Sequence, residues 1–341
     1  MPPSRKSQLA KFFALALVII IGAICAGITL TFGWRPIIGA KARQLTPGKF
    51  ESSPARLARG KYLVEGVTGC FGCHSPTDVE QPGYPPVQGK EGEGVSWAGS
   101  GLPWLYAPNI TPDNETGAGT WTDDMFARAI REGIGHDGRA LFPVMPYSDF
   151  RSMSDEDLAS IIVYVRSVPA IKNPGPQTKI PFPLSRLILG APQPIDSPAP
   201  APDLSTPERR GAYLVSLGAC TDCHTPQQNG QPIPGMDFAG GFTLQTPAGP
   251  VASANITPDP SGVSYYDEGL FVNVMRTGHV RSRQLNSIMP WYFFKNMTDE
   301  DLKSIFAFLK TVKPVQHRVD NTEVSAACKK CRGSHGLGAS N

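Results

Sequence analysis

Apolar residues follow three patterns along the 341-residue chain. The first is an unbroken run, "FFALALVIIIGAICAGITLTF" at 12–32, of 21 uncharged and mostly apolar positions. As a helix this run spans about 30 Å, the thickness of a hydrocarbon core. Arg5, Lys6 and Lys11 precede it, and Trp34 with Arg35 stands where an interfacial anchor belongs. The run predicts an uncleaved transmembrane anchor over 12–32 behind a cytoplasmic N-terminus at 1–11. A cleavable signal is the rival reading, because "AKA" at 40–42 resembles a cleavage site. The apolar region of such a signal, however, covers only about 7–15 residues. Arg35, Lys41 and Arg43 balance the three N-terminal cations, so charge does not orient the anchor. Cys25, inside the run, reads as a small apolar residue.

The second pattern is helical periodicity, and it occurs twice. Leu158, Ile161, Ile162 and Val165 follow a start signal at Ser154 and Asp157; Leu302, Ile305, Phe306 and Leu309 follow one at Thr298 and Asp301. Both signals read as capping boxes with Asp where Glu is usual, and Met153 and Met297 can staple onto Leu158 and Leu302. "PARLARGKYLV" and "PERRGAYLV" suit helices with Pro near the start. "TDDMFARAIREG" at 122–133 predicts a helix from Thr122 to Gly133. No convincing alternating strand pattern appears. The third pattern is Pro-rich: "APQPIDSPAPAPDLSTP" at 191–207 predicts an extended, semi-rigid linker.

These patterns repeat in order. "RGKYLVEGVTGCFGCH" (59–74) answers to "RGAYLVSLGACTDCH" (210–224), "NITPD" occurs at 109–113 and 255–259, and "VMPYSDFRSMSDEDL" (144–158) answers to "IMPWYFFKNMTDEDL" (288–302). Tandem domains are therefore expected at 51–169 and 206–316, joined by a linker at 170–205 and followed by a tail at 317–341. Each is expected to be mostly α with long loops. Composition agrees: 35 Gly and 34 Pro make up about a fifth of the chain, against roughly 12% in average usage. So many turns leave little regular core unless a cofactor fills it. A net charge of +3 with no basic or acidic run gives no sign of nucleic acid.

The cysteines say what the cofactor is. "CFGCH" at 70–74 and "CTDCH" at 220–224 are Cys-x-x-Cys-His, the attachment signature of c-type haem. Thiols three positions apart on one turn reach two vinyl groups, and the following imidazole swings beneath the iron. Cys70, Cys73, Cys220 and Cys223 are thus expected to attach two covalently bound haems c, with His74 and His224 as proximal ligands. A zinc site is the bland alternative, but its remaining ligands are not apparent. Met145 and Met289, each followed by Pro, are the expected distal ligands. Met153 and Met297 are explained by the staple, and His136 and His279, nine and ten residues before the Met, are weaker candidates. His/Met ligation raises the iron potential and leaves no open coordination position, which favours electron transfer over catalysis at the haem. "NITPD" reads equally as turn chemistry and as a loop bordering the haem.

The tail holds "CKKCRGSHG" at 328–336, in which Arg332 replaces the ligating His. With no Met following and few residues left, a third haem is not expected. Three readings stay open for Cys328, Cys331 and His335. They bind a metal such as zinc, with His317 as a fourth ligand, or Cys328 and Cys331 form a disulfide, or both thiols stay unbound.

Taken together, "CFGCH", "CTDCH", the two "NITPD" loops, "MPYSDF", "MPWYFF", "MSDEDL" and "MTDEDL" resemble the membrane-anchored multihaem cytochrome c subunits of bacterial periplasmic dehydrogenases for alcohols, aldehydes and sugar acids. The resemblance covers roughly residues 55–312. With the apolar run read above as an N-terminal transmembrane helix, the resemblance implies an all-α fold of two tandem class I cytochrome c-like domains behind that anchor. It also implies Met145 and Met289 as distal ligands, and a single-pass location in the cytoplasmic membrane with the haem domains on the periplasmic side. Members relay electrons from a catalytic subunit to quinone or a downstream cytochrome or oxidase. The chain departs from three-haem members in having two motifs and an N-terminal anchor, so the resemblance assigns neither a particular dehydrogenase partner nor quinone reactivity. Nothing in it matches a flavin, quinone-cofactor or molybdenum domain. A dihaem subunit of a haem–copper oxidase and a dihaem peroxidase-like enzyme are the alternatives.

Overall fold

The computed structural model describes residues 5–246, 249–321 and 326–335. Helix α1 (Arg5–Thr31) contains Lys11–Thr31, the one stretch among the described residues long and apolar enough to cross a membrane, and none of it is buried in protein. A short α2 (Arg35–Ile38) follows, with Pro36 buried.

In the first half, α3 (Pro54–Tyr62) starts on Ser53, whose side chain accepts from the Arg56 amide. A π-helical turn, Leu63–Val67, then leads to α4 (Cys70–His74). That turn has a sequence cause. Tyr62 corresponds to Tyr213 at an offset of 151, but Cys70 corresponds to Cys220 at an offset of 150. The extra residue of the first half is absorbed as a π-bulge. Next come α5 (Asp123–Glu132), capped by Thr122 and closed by Gly133, α6 (Tyr147–Phe150) and α7 (Asp155–Val165). The connecting segment carries α8 (Leu184–Leu187). The second half repeats the series as α9 (Pro207–Leu217), α10 (Cys220–His224), α11 (Glu268–Thr277), α12 (Trp291–Phe294) and α13 (Asp299–Thr311).

Each half is built on its first and last long helices. α3 lies on α7 and α9 on α13, and glycine makes both crossings. A Cβ at Gly60 would stand 2.0 Å from the Ser160 carbonyl oxygen, and one at Gly211 would stand 1.9 Å from that of Ser304. No other residue permits this approach. Leu63, Val64, Leu158 and Ile162 pack behind the first crossing, and Leu214, Leu217, Leu302 and Leu309 behind the second. These form one continuous apolar cluster shared by both halves.

Helices supply the core, but much of the chain is irregular. Among the described residues there are also five two-stranded antiparallel ladders, of two to four residues per strand. The expectation of an all-α fold, mostly helical with long loops, is met in part; strands this short leave no alternating signature. The capping boxes are also half-formed. Ser154 and Thr298 accept from the Asp157 and Asp301 amides, but those carboxylates turn away to Arg59 and Arg210 instead of back to the cap. The Pro-rich connection is bonded along the first half: Arg151 donates to the Gln193 and Pro194 carbonyls, and Asn109 to that of Ile171.

Candidate functional site

Each half encloses an apolar cavity at the same place. The first, of about 480 Å³, is lined by Cys70, Cys73, His74, Trp97, Met145 and Ile161, among others. Cys220, Cys223, His224, Ile256, Met289 and Ile305 line the second. The structure therefore brings every sequence-predicted haem residue to one of two cavities.

On one wall of each cavity, the cysteine helix presents its thiols and imidazole. His74 Nδ1 lies 2.8 Å from the Pro108 carbonyl oxygen, and His224 Nδ1 lies 2.7 Å from that of Ala254. A carbonyl oxygen only accepts, so Nδ1 carries the proton and Nε2 keeps its lone pair for a metal. Burial holds both imidazoles below the ordinary histidine value, favouring the neutral form that ligates. Burial also raises the thiols. Cys73 is pushed up to about 12, with Cys70 and Cys223 adding to the effect; Cys220 rises to about 12 and Cys223 to about 11. Thiols held neutral in this way lack the thiolate that disulfide exchange requires. Covalently attached haem c fits this donor set: two apolar-walled thiols, one oriented imidazole and a thioether per cavity.

The Met-Pro turns that also line the two cavities are the same structure twice. Tyr147 N donates to Met145 O and Trp291 N to Met289 O, both at 2.8 Å. Pro146 and Pro290 share φ −80°, with ψ 51° and 45°. The two weaker histidine candidates are not equivalents. Gly133 and Gly278 close corresponding helices, so His279 stands where the first half has Ile134. His136 stacks on Trp121 at 4.3 Å beside the first cavity, whereas His279 bonds to the Thr277 carbonyl.

The "NITPD" loops hold the proximal carbonyls. Asn109 Oδ1 accepts from Thr111 N and Oγ1, and its amide nitrogen donates to Ile171 O at 2.7 Å. Asn255 does the same with Thr257 and Val315. The turn is fixed by Asn, and the residue before it holds the imidazole through its backbone carbonyl. Pro108 and Ala254 act through backbone carbonyls, so residue type gave no signal for them.

The two sites meet at the boundary between the halves. Val67 of the first half lines the second cavity, and Phe293 of the second lies against Gly69 and Gly72 in the first cysteine turn. Thr221 donates to Asp149 across the same boundary. Asp149 and Asp222 face each other there, and burial raises both carboxyls above their usual range.

Comparison with known proteins matches residues 57–169 and 209–313 to the cytochrome c family, described as "Cytochrome c". One of the subunits of nicotinate dehydrogenase from Pseudomonas putida is 33% identical over 232 residues, covering 66% of this chain and 18% of that protein. The cytochrome c subunit of alcohol dehydrogenase (quinone) of Gluconacetobacter polyoxogenes is 30% identical over 292 residues, 78% of this chain and 58% of that subunit. A diheme cytochrome c-type protein of Cereibacter sphaeroides is 28% identical over 312 residues, 89% of this chain and 97% of that protein. The chain thus spans less than two thirds of the first two relatives.

Proposed function

The chain belongs to the cytochrome c family, and on that footing we propose that it is a membrane-tethered dihaem relay, the electron-transfer subunit of a dehydrogenase complex. Cys70 and Cys73, and Cys220 and Cys223, would each hold one haem c by thioether bonds. His74 and His224 would bind the iron from the proximal side, Met145 and Met289 from the distal side. Haem c supplies a one-electron couple when bound. The chain's own residues orient the imidazoles, hold the thioethers on stiff Met-Pro turns and exclude water with apolar walls.

The observation that carries the reading is the adjacency of the two sites. Val67 lines the cavity of the opposite half, and Cys223 is near enough to Cys73 to influence its proton. Electron-transfer rates fall steeply with separation, so cofactors held at a shared boundary make one path. The repetition of the same donor set in both cavities supports a relay over a peroxide-using enzyme, in which one iron needs an open position.

The tether supports a location at a membrane. Ala40, shortly after the apolar helix, lines the first cavity together with Ile188 and Leu189. Beside it, α2 packs on α8, and Ile37, Ile38, Phe182 and Leu187 are exposed around that contact. Covalent haem attachment outside the cytoplasm would put both halves on the periplasmic face of the inner membrane. A relative named as a dehydrogenase cytochrome subunit supports a catalytic dehydrogenase as electron donor, with quinone or a downstream cytochrome as acceptor.

Purification from native membranes with a tag on this chain tests the reading. A dehydrogenase catalytic subunit should co-purify, and its substrate should reduce both haems. Co-purification of a haem–copper core instead, or peroxide turnover by the isolated chain, would overturn it.

A further inference from the structure

The relay leaves one cluster unused. His317, Cys328, Cys331 and His335 bring one potential ligand atom each into a group whose members all lie within 4.8 Å of one another. Cys328 Sγ is 3.4 Å from His317 Nε2, and Cys331 Sγ is 3.1 Å from His335 Nε2. Ligands at the usual zinc–sulfur and zinc–nitrogen bond lengths form a tetrahedron with edges of about 3.3–3.8 Å. Both cysteines carry free thiols. We propose that these four residues form a closed Cys₂His₂ zinc site that staples the C-terminal tail to the second half.

Three features indicate a built site. First, both imidazoles are oriented from behind. His317 Nδ1 lies 2.7 Å from the Ala239 carbonyl oxygen and His335 Nδ1 lies 3.2 Å from that of Arg318, so each Nε2 faces the cluster without a proton. Second, a backbone corner makes room. Gly241 has φ +87°, and a Cβ there would meet His317 Cε1 at 2.7 Å, His335 Nε2 at 3.0 Å and Cys331 Sγ at 3.3 Å. Third, the cysteines sit on a hairpin. Ala326 and Ala327 pair with His335 and Ser334, the Cys328 amide donates to Gly333 O, and Arg332 takes the positive φ of the turn.

The repeat isolates what the histidine adds. Asn173 occupies in the first half the position of His317 in the second. The Asn173 amide donates to Thr116 Oγ1 and its side chain to the Glu93 carbonyl; the His317 amide donates to Ser261 Oγ and its ring to the Ala239 carbonyl. An amide suffices for that anchoring bond. Imidazole keeps the bond and adds a second nitrogen, aimed at Cys328. Two thiolates and two neutral imidazoles balance a dication and suit tetrahedral zinc. Four protein ligands leave no open position, so the site is structural. It also grips the segment whose Gly240 amide donates to the His224 carbonyl at 2.7 Å, next to the second cavity.

The test is elemental analysis and zinc-edge X-ray absorption on the full chain, expressed with zinc and purified without chelator. The expected result is about one zinc per chain with two sulfur and two nitrogen neighbours. His317→Asn keeps the bond to Ala239, as Asn173 does in the first half, so it should fold while its zinc content falls at least about tenfold. Cys328→Ser should lose zinc likewise, and Cys25→Ser should retain it. Zinc-free wild-type chain with a Cys328–Cys331 bridge by mass spectrometry would overturn the proposal, as would equal zinc in wild type and His317→Asn. Because zinc is counted per polypeptide, the result is independent of haem loading.

Discussion

The Tyr62 hydroxyl of the first half donates a hydrogen bond to the Asp301 carboxylate of the second. The contact has a mate: Tyr213 of the second half donates to Asp157 of the first at 2.7 Å. Each carboxylate is also held by an arginine of its own half, Arg210 or Arg59. The repeat is thereby assembled about an approximate two-fold relation, with the cysteine turns facing the shared boundary. Removing a hydroxyl takes one donor from a buried carboxylate. Tyr62→Phe and Tyr213→Phe should each lower stability by about 1–3 kcal/mol, measured by denaturant unfolding. The double variant should weaken the interaction between the two haems in a redox titration.

The helix crossings make a sharper prediction. At 2.0 and 1.9 Å from a carbonyl oxygen, an added methyl forces the backbones apart. Gly60→Ala and Gly211→Ala should each cost about 3 kcal/mol, although alanine favours a helix elsewhere. Thermal unfolding checks this, and an unchanged midpoint would show that the helices cross with room to spare.

Acid should release the strap that follows the apolar helix. Arg43 reaches Asp124 at 2.6 Å and Glu132 at 2.8 Å, and the Thr46 amide adds a bond to Asp124. Burial opposes ionisation of Asp124, but the Arg43 hydrogen bond and the Thr46 amide outweigh it and hold the carboxyl below its ordinary value of 3.8. A depressed carboxylate stabilises the fold above its unfolded value, and this is lost as pH falls through the folded one. Glu132 is opposite: burial raises it, so its share is lost as pH rises. Arg43→Ala should therefore cost about 1 kcal/mol at pH 7, after solvent screening, and progressively less below about pH 4. Urea unfolding across pH 3–7 measures the convergence.

Asn109 and Asn255 are predicted to act at a distance through the proximal carbonyls. Asn109→Ala should cost about 1–3 kcal/mol and shift the potential of the first haem while leaving the second in place. Asn255→Ala should do the reverse. Potentiometric titration of each variant separates the two couples.

Much of this was legible in the sequence because the chemistry is local. Cys-x-x-Cys-His fits one helical turn, Met-Pro is a rigid turn, and the start signals at Ser154 and Thr298 lie within four residues of the helices they open. What did not show depends on distant partners. Asp157 and Asp301 looked like capping groups, and their arginines lie far earlier in the chain. Pro108 and Ala254 contribute through carbonyls, which carry no residue signature. Counted back from the Met, His136 and His279 fall nine and ten residues away and look equivalent, but they stand three residues after Gly133 and one after Gly278. The cysteine tail was ambiguous because its partners at Gly241 and His317 are brought to it only by folding.

Whether the two cavities hold haem is read most plainly from the mass of the purified full chain, produced with haem-attachment machinery. Polypeptide plus two haems is expected, falling by one when Cys70 and Cys73 are both replaced by alanine, with low-spin His/Met spectra from both sites. A chain carrying fewer than two haems, or one whose spectra do not change in Met145→Ala and Met289→Ala, would contradict the dihaem relay.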